Sequence, residues 1–107
     1  MPSYLYQVGY TAAAWEEQVK HPKNRMEAIR PVIEKMGGKV IAAYYAFGKD
    51  DLILIADMPS NETAAAFAIA AAAGGAVTHL RTTPLMTMDE GVAAMKDAAK
   101  STYAPPQ

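Results

Sequence analysis

The 107-residue sequence contains no cysteine. That excludes a thiol nucleophile, a disulfide scaffold and a cysteine-ligated zinc module. Histidine is also scarce: His21 and His79 are far apart, with no acid spacing that would join them at one metal. No metal and no cofactor are therefore expected. Neither charge is in excess, since 10 basic and 11 acidic groups leave a net −1 with histidine neutral. Tight nucleic-acid binding needs many Lys or Arg on one face, so nucleic acid is not an expected partner. Long apolar runs are missing. The longest, Thr63 to Val77, is mostly alanine and includes Gly74-Gly75. It falls short of the roughly 20 residues that a spanning helix needs. The chain starts directly in a strand pattern without a basic, then apolar leader, so no membrane contact and a cytoplasmic location are expected. Neither glycine pair has phosphate-loop or dinucleotide spacing. Aromatic residues are few: one Trp, six Tyr and two Phe.

Alanine is what the chain has in abundance, at 22 residues. Each buries little surface, and a domain of this size hides only roughly two thirds of its unfolded surface. The expected core is thin. With 51% apolar and 20% charged residues, the composition suits one α+β domain over residues 1–100 and a flexible tail at 101–107.

Period-two patterning predicts strands at Ser3–Tyr10, Lys39–Phe47, Asp51–Asp57 and Ala76–Leu85. Thr11 has the chemistry of an N-cap for a short helix, and Pro22 ends it. A second helical stretch carries Met26, Ile29, Ile33 and Met36 on one stripe, with Pro31 expected to kink it or shift its start. Gly37-Gly38 stops it. Ser60 caps the alanine-rich helix Asn61–Ala73, and Gly74-Gly75 ends it. Thr87 and Glu90 have capping-box spacing before a last helix, Met88–Lys100. The order is that of a ferredoxin-like βαββαβ antiparallel sheet with helices on one face, plus a C-terminal helix.

Such a sheet leaves one face bare, and a bare face requires alternating polar residues. Strand three breaks that rule with Leu52-Ile53-Leu54-Ile55-Ala56, apolar on both faces. Strand two is similar. A monomer would expose an apolar patch of a size that is rare outside binding sites. The expected remedy is a homodimer or higher oligomer, sheet against sheet, as a dimeric α/β barrel. The alternative is that the C-terminal helix folds back as a lid.

Several residues carry a resemblance. Tyr4-Leu5-Tyr6-Gln7, Tyr10-Thr11, Trp15, Lys20, Pro22 and Asn24-Arg25 open it, and Gly37-Gly38-Lys39 follows. Then come Phe47-Gly48-Lys49-Asp50-Asp51, Ile55-Ala56-Asp57-Met58-Pro59, Asn61-Glu62 and Leu85-Met86-Thr87. This ordered set resembles GYD domain proteins over about residues 3 to 100. The family's tyrosine position is Asp50 here, and Asp51 matches its aspartate. The resemblance implies a ferredoxin-like domain similar to dimeric α/β-barrel proteins, and it implies no particular reaction.

The candidate ligand-binding residues are Tyr4, Tyr6, Tyr44, Tyr45, Asp51, His79 and Arg81. Tyr4, Tyr6 and Tyr10 share one strand face, as interface anchors or as pocket lining. Asp50 and Asp51 suit a turn, and Asp51 alternatively points into the intersheet cavity as a base or acceptor. His79 and Arg81 sit on one face of an edge strand, either protecting that edge or acting as a pair. Met86, Met88 and Met95 are expected to pack under the last helix. The expected function is a homo-oligomeric module binding a small organic ligand in an apolar, tyrosine-lined cavity between sheets. A cofactor-independent isomerase or oxygenase is one alternative, and an assembly protein with a filled interface is another.

Overall fold

The computed structural model describes residues 1–106. Its elements are β1 (Ser3–Tyr10), α1 (Ala12–Lys20), α2 (Met26–Lys35), β2 (Lys39–Tyr45), β3 (Leu52–Asp57), α3 (Asn61–Ala73), β4 (Val77–Leu85) and α4 (Met88–Ala99). The four strands form one antiparallel sheet in the order β2-β3-β1-β4. This is the ferredoxin-like α+β arrangement, with β2 and β4 on the edges.

Local chemistry sets the helix ends. The Thr11 hydroxyl accepts from the Ala14 amide at 3.1 Å, and Ser60 accepts from Thr63 at 3.2 Å. Thr87 and Glu90 complete the capping box, at 3.0 and 2.8 Å. That bonding holds the Glu90 carboxyl below its usual range. Helix α2 runs through Pro31 rather than starting after it, because Glu27, whose carbonyl loses its partner, is exposed to water. Gly37 ends α2 with φ +90°, a conformation open to glycine at little cost.

The core lies between the sheet and α2 and α3. Tyr4, Tyr6 and Val8 of β1, Leu52, Leu54 and Ala56 of β3, Ile33 of α2, and Ala64 and Phe67 of α3 are all buried. Tyr6 meets Phe67 edge to face at 5.1 Å, and Tyr10 meets Trp15 at 5.4 Å.

The other sheet face has no helix of its own chain. By register it carries Leu5, Gln7 and Gly9 of β1, Ile53 and Ile55 of β3, Ala42 and Tyr44 of β2, and His79, Arg81, Thr83 and Leu85 of β4. The intrachain lid is not formed: no residue of α4 is buried. Met86, Met88 and Met95 are exposed rather than packed beneath the last helix. Met88, Val92 and Met95 lie on one exposed side of α4, and the molecule is drawn out to 57 × 35 × 22 Å.

Leu54, 1% exposed, fills the centre of the core. Leu54→Ala is expected to cost about 2–5 kcal/mol. Urea denaturation checks this, and a cost below about 1 kcal/mol would show that the cleft around it collapses.

Candidate functional site

The uncovered face carries a polar pair, Ser3 with Asp57, and a larger polar cluster whose centre is Asp50. This aspartate follows the Gly48-Lys49 turn, just before β3, and is 9% exposed. A carboxylate at that depth needs donors. It has three. His79 Nε2 lies 2.9 Å from Oδ1, Arg81 Nη2 lies 3.2 and 3.1 Å from the two oxygens, and Gln7 Nε2 donates to Oδ2 at 3.1 Å. The His79 hydrogen bond, followed by Arg81, holds the Asp50 carboxyl below its ordinary 3.8. The donors come from two adjacent strands because the β1–β4 register sets Gln7 opposite Arg81 and Gly9 opposite His79.

Gly9 makes room for the histidine. A Cβ at that position would stand 2.3 Å from His79 Cε1 and 2.6 Å from its Nδ1. The β1–β4 register shifts just after Gly9, leaving Thr78 as the extra residue. An ionised carboxylate only accepts, so His79 Nε2 carries a proton toward Asp50. In the neutral ring Nδ1 is then the basic nitrogen, 3.3 Å from the Thr78 hydroxyl. A histidine oriented by a carboxylate in this way can accept a proton from a bound molecule. The unpaired guanidinium N–H groups of Arg81 can hold an oxygen acceptor.

The structure divides the seven sequence candidates between two faces. His79 and Arg81 come together. Tyr44 shares their face, 66% exposed and beside Ile53 on β3. Tyr4 and Tyr6 do not. They face the helices, and the expectation of a tyrosine row lining an intersheet space is corrected for both. The Tyr4 hydroxyl bonds Asn61, and the Tyr6 hydroxyl donates to the Ala64 carbonyl at 3.0 Å. Burial, with a smaller contribution from Tyr4, pushes the Tyr6 phenol up to about 12, so it is a packing group and not an acid. Tyr45 pins the α1–α2 connection, accepting from the Arg25 amide at 3.0 Å and donating to the Lys23 carbonyl at 3.2 Å. Asp51 is occupied by the backbone: its Oδ2 accepts from the Tyr10 amide at 2.8 Å. Asp51 thus follows the turn reading, bonding a backbone amide, and not the alternative in which it enters an intersheet cavity, while Asp50 is the acid paired on the uncovered face.

Gln7, Gly9 and Asp50 are the site residues that sequence reasoning missed. Gln7 was the available signal, as the one amide on a face otherwise shared with Leu5. Among the described residues, no three His, Asp or Glu side chains form a metal-binding group. Among the described residues, no helix is long and apolar enough to cross a membrane.

The family model of the GYD domain matches residues 4–95, and the chain belongs to that family. No curated protein matches it. Among solved structures, the crystal structure of MtbAldR is similar, with a TM-score of 0.60 and 19% identity. The match covers 80% of this chain and 52% of that one, so this chain spans about half of its length. At that identity the likeness is one of fold.

Lowering the folded-state value of Asp50 stabilises the fold at any pH above its ordinary 3.8. That contribution is lost as pH falls through the depressed folded value. The urea midpoint of the wild type is expected to exceed that of Asp50→Asn around pH 5, and the gap to shrink on acidification. A gap that does not change with pH would show that the cluster carries no charge-dependent stability.

Proposed function

We propose that the protein is a homo-oligomeric binding module whose copies meet through their uncovered sheet faces and hold a small organic molecule between them. One observation carries this reading. The uncovered face is apolar at Leu5, Ile53, Ile55, Ala42 and Tyr44, and the Asp50–His79–Arg81 cluster stands on it, with the Ser3–Asp57 pair at the far end of β1 and β3. Soluble monomers rarely leave a contiguous apolar surface beyond a few hundred Å² open to water. Self-association covers it with a surface of the same kind, and a two-fold axis makes the contact self-complementary. His79 and Arg81 then line the enclosed space. Their free nitrogen groups favour a ligand with a carbonyl or carboxylate, and the exposed Tyr44 ring favours one with an aromatic or other apolar body. We place this activity in the cytoplasm, which a cysteine-free composition suits.

A second reading is favoured by the 2.9 Å contact between His79 and Asp50. In it the module is a cofactor-independent enzyme, of isomerase or oxygenase type, and His79 moves a proton of the bound molecule.

Native mass spectrometry at micromolar concentration is expected to show dimers or larger assemblies. Ile53→Lys is expected to shift them to monomer with unchanged helical circular dichroism, since Ile53 lies outside the buried core. A wild-type protein that is strictly monomeric would contradict the proposal.

A further inference from the structure

The helix-covered face holds an opening of its own. A cleft of about 320 Å³ lies between α2, α3 and the sheet. Small-molecule sites begin at roughly 300 Å³. Its existence follows from composition. On the α3 side the wall is Phe67, Ala70 and Ala71, with Gly74 just past the helix end, and longer side chains at the alanines would fill the space. The floor is the apolar surface of Leu52, Leu54 and Tyr6.

Two groups break the apolar lining. Tyr10 is 8% exposed, and its hydroxyl is buried without a hydrogen-bond partner among the described residues. A buried hydroxyl left unpaired costs stability, and a well-packed core would pair it or omit it. Arg25 lines the same cleft from its exposed rim. Burial pushes the Tyr10 phenol up, and the nearby Arg25 guanidinium opposes that by its charge and as a donor toward the phenol oxygen, although the two groups stand outside hydrogen-bond geometry. A donor inside and a cation at the mouth suit one negatively charged oxygen group.

The geometry points to a binding site in this cleft for an apolar monocarboxylate. Its carboxylate accepts a hydrogen bond from the Tyr10 hydroxyl and pairs with the Arg25 guanidinium. Its hydrocarbon part lies along Ala70, Ala71 and Leu54. The site is on the opposite side of the sheet from His79 and Arg81, so it stands or falls independently of the intersheet reading.

Octanoate and octanol are the probes, titrated into the full chain and followed by the methyl signals of Ala70 and Ala71 and the ring signals of Tyr10 and His79. Octanoate is expected to shift Ala70, Ala71 and Tyr10 while leaving His79 in place, and to bind more tightly than octanol. Tyr10→Phe is expected to melt no lower than the wild type, because the lost hydroxyl has no partner in hydrogen-bond geometry among the described residues. It is expected to bind octanoate roughly tenfold more weakly, the scale of one charge-assisted hydrogen bond. Ala71→Leu, which fills the wall, is expected to abolish binding. Where that variant fails to fold, Tyr10→Phe decides alone. No shift at millimolar octanoate would overturn the proposal. So would equal binding by Tyr10→Phe and the wild type, or shifts confined to His79 and the uncovered face.

Discussion

A four-stranded sheet has two faces, and this chain supplies helices for one. Every other feature depends on that constraint. The central strand β3 is apolar on both faces, with Leu52, Leu54 and Ala56 buried beneath the helices and Ile53 and Ile55 turned the other way. The residues of β1 that reach the helices, Tyr4, Tyr6, Val8 and Tyr10, bring three large rings to the core, with edge-to-face packing of Tyr6 on Phe67. Burial at roughly 25 cal/mol per Å² of apolar area makes the helix side the anchor of the monomer. It makes the other side a surface in need of cover. Helix α4, with Val92 and Met95 exposed, adds a second uncovered apolar surface rather than removing the first.

The Asp50 cluster is where that bare face departs furthest from simple apolarity. Asp50 is held by three donors from two strands, so its position is over-determined. The cost of burying the carboxylate is offset by those charge-assisted bonds. His79 depends in turn on Gly9, the only residue type that leaves its ring space against β1. Two other functions of the turn fall to Asp51, which ties β1 and the β2 end together through the Tyr10 and Ala46 amides. Adjacent acids thus divide the work: one closes backbone, the other presents chemistry. Alanine has an equally specific consequence on the opposite side. Helix α3 is stable because alanine favours helix, and thin because alanine has no bulk, so it covers the sheet without filling the space above it.

Strand and helix order were readable because period and caps are local. Thr11, Ser60 and Thr87 cap the helices they precede, and Gly37 ends α2. The orientation of the sheet was not readable. A period of two groups Tyr4, Tyr6 and Tyr10 on one face, and it cannot say which face receives the helices. That choice is made by contacts far along the chain, such as Tyr6 with Phe67 and with the Ala64 carbonyl. The turn position of Asp50 was readable, but its partners were not: its donors lie on strands read as separate until the register joins Gln7 to Arg81. Met86, Met88 and Met95 were expected to pack under the last helix and are exposed, because apolar side chains mark a surface and not its partner. His79 and Arg81 were found together because two residues apart on one strand is a local relation.

The central claim is that the uncovered faces of two copies meet. Isotope-filtered NMR on a mixture of labelled and unlabelled protein tests it most directly, because it registers only contacts between chains. The account predicts intermolecular signals to the methyl groups of Leu5, Ile53 and Ile55, and to the His79 ring. Intermolecular signals confined to the outer surfaces of α2 and α3, with none to Ile53 or Ile55, would contradict it.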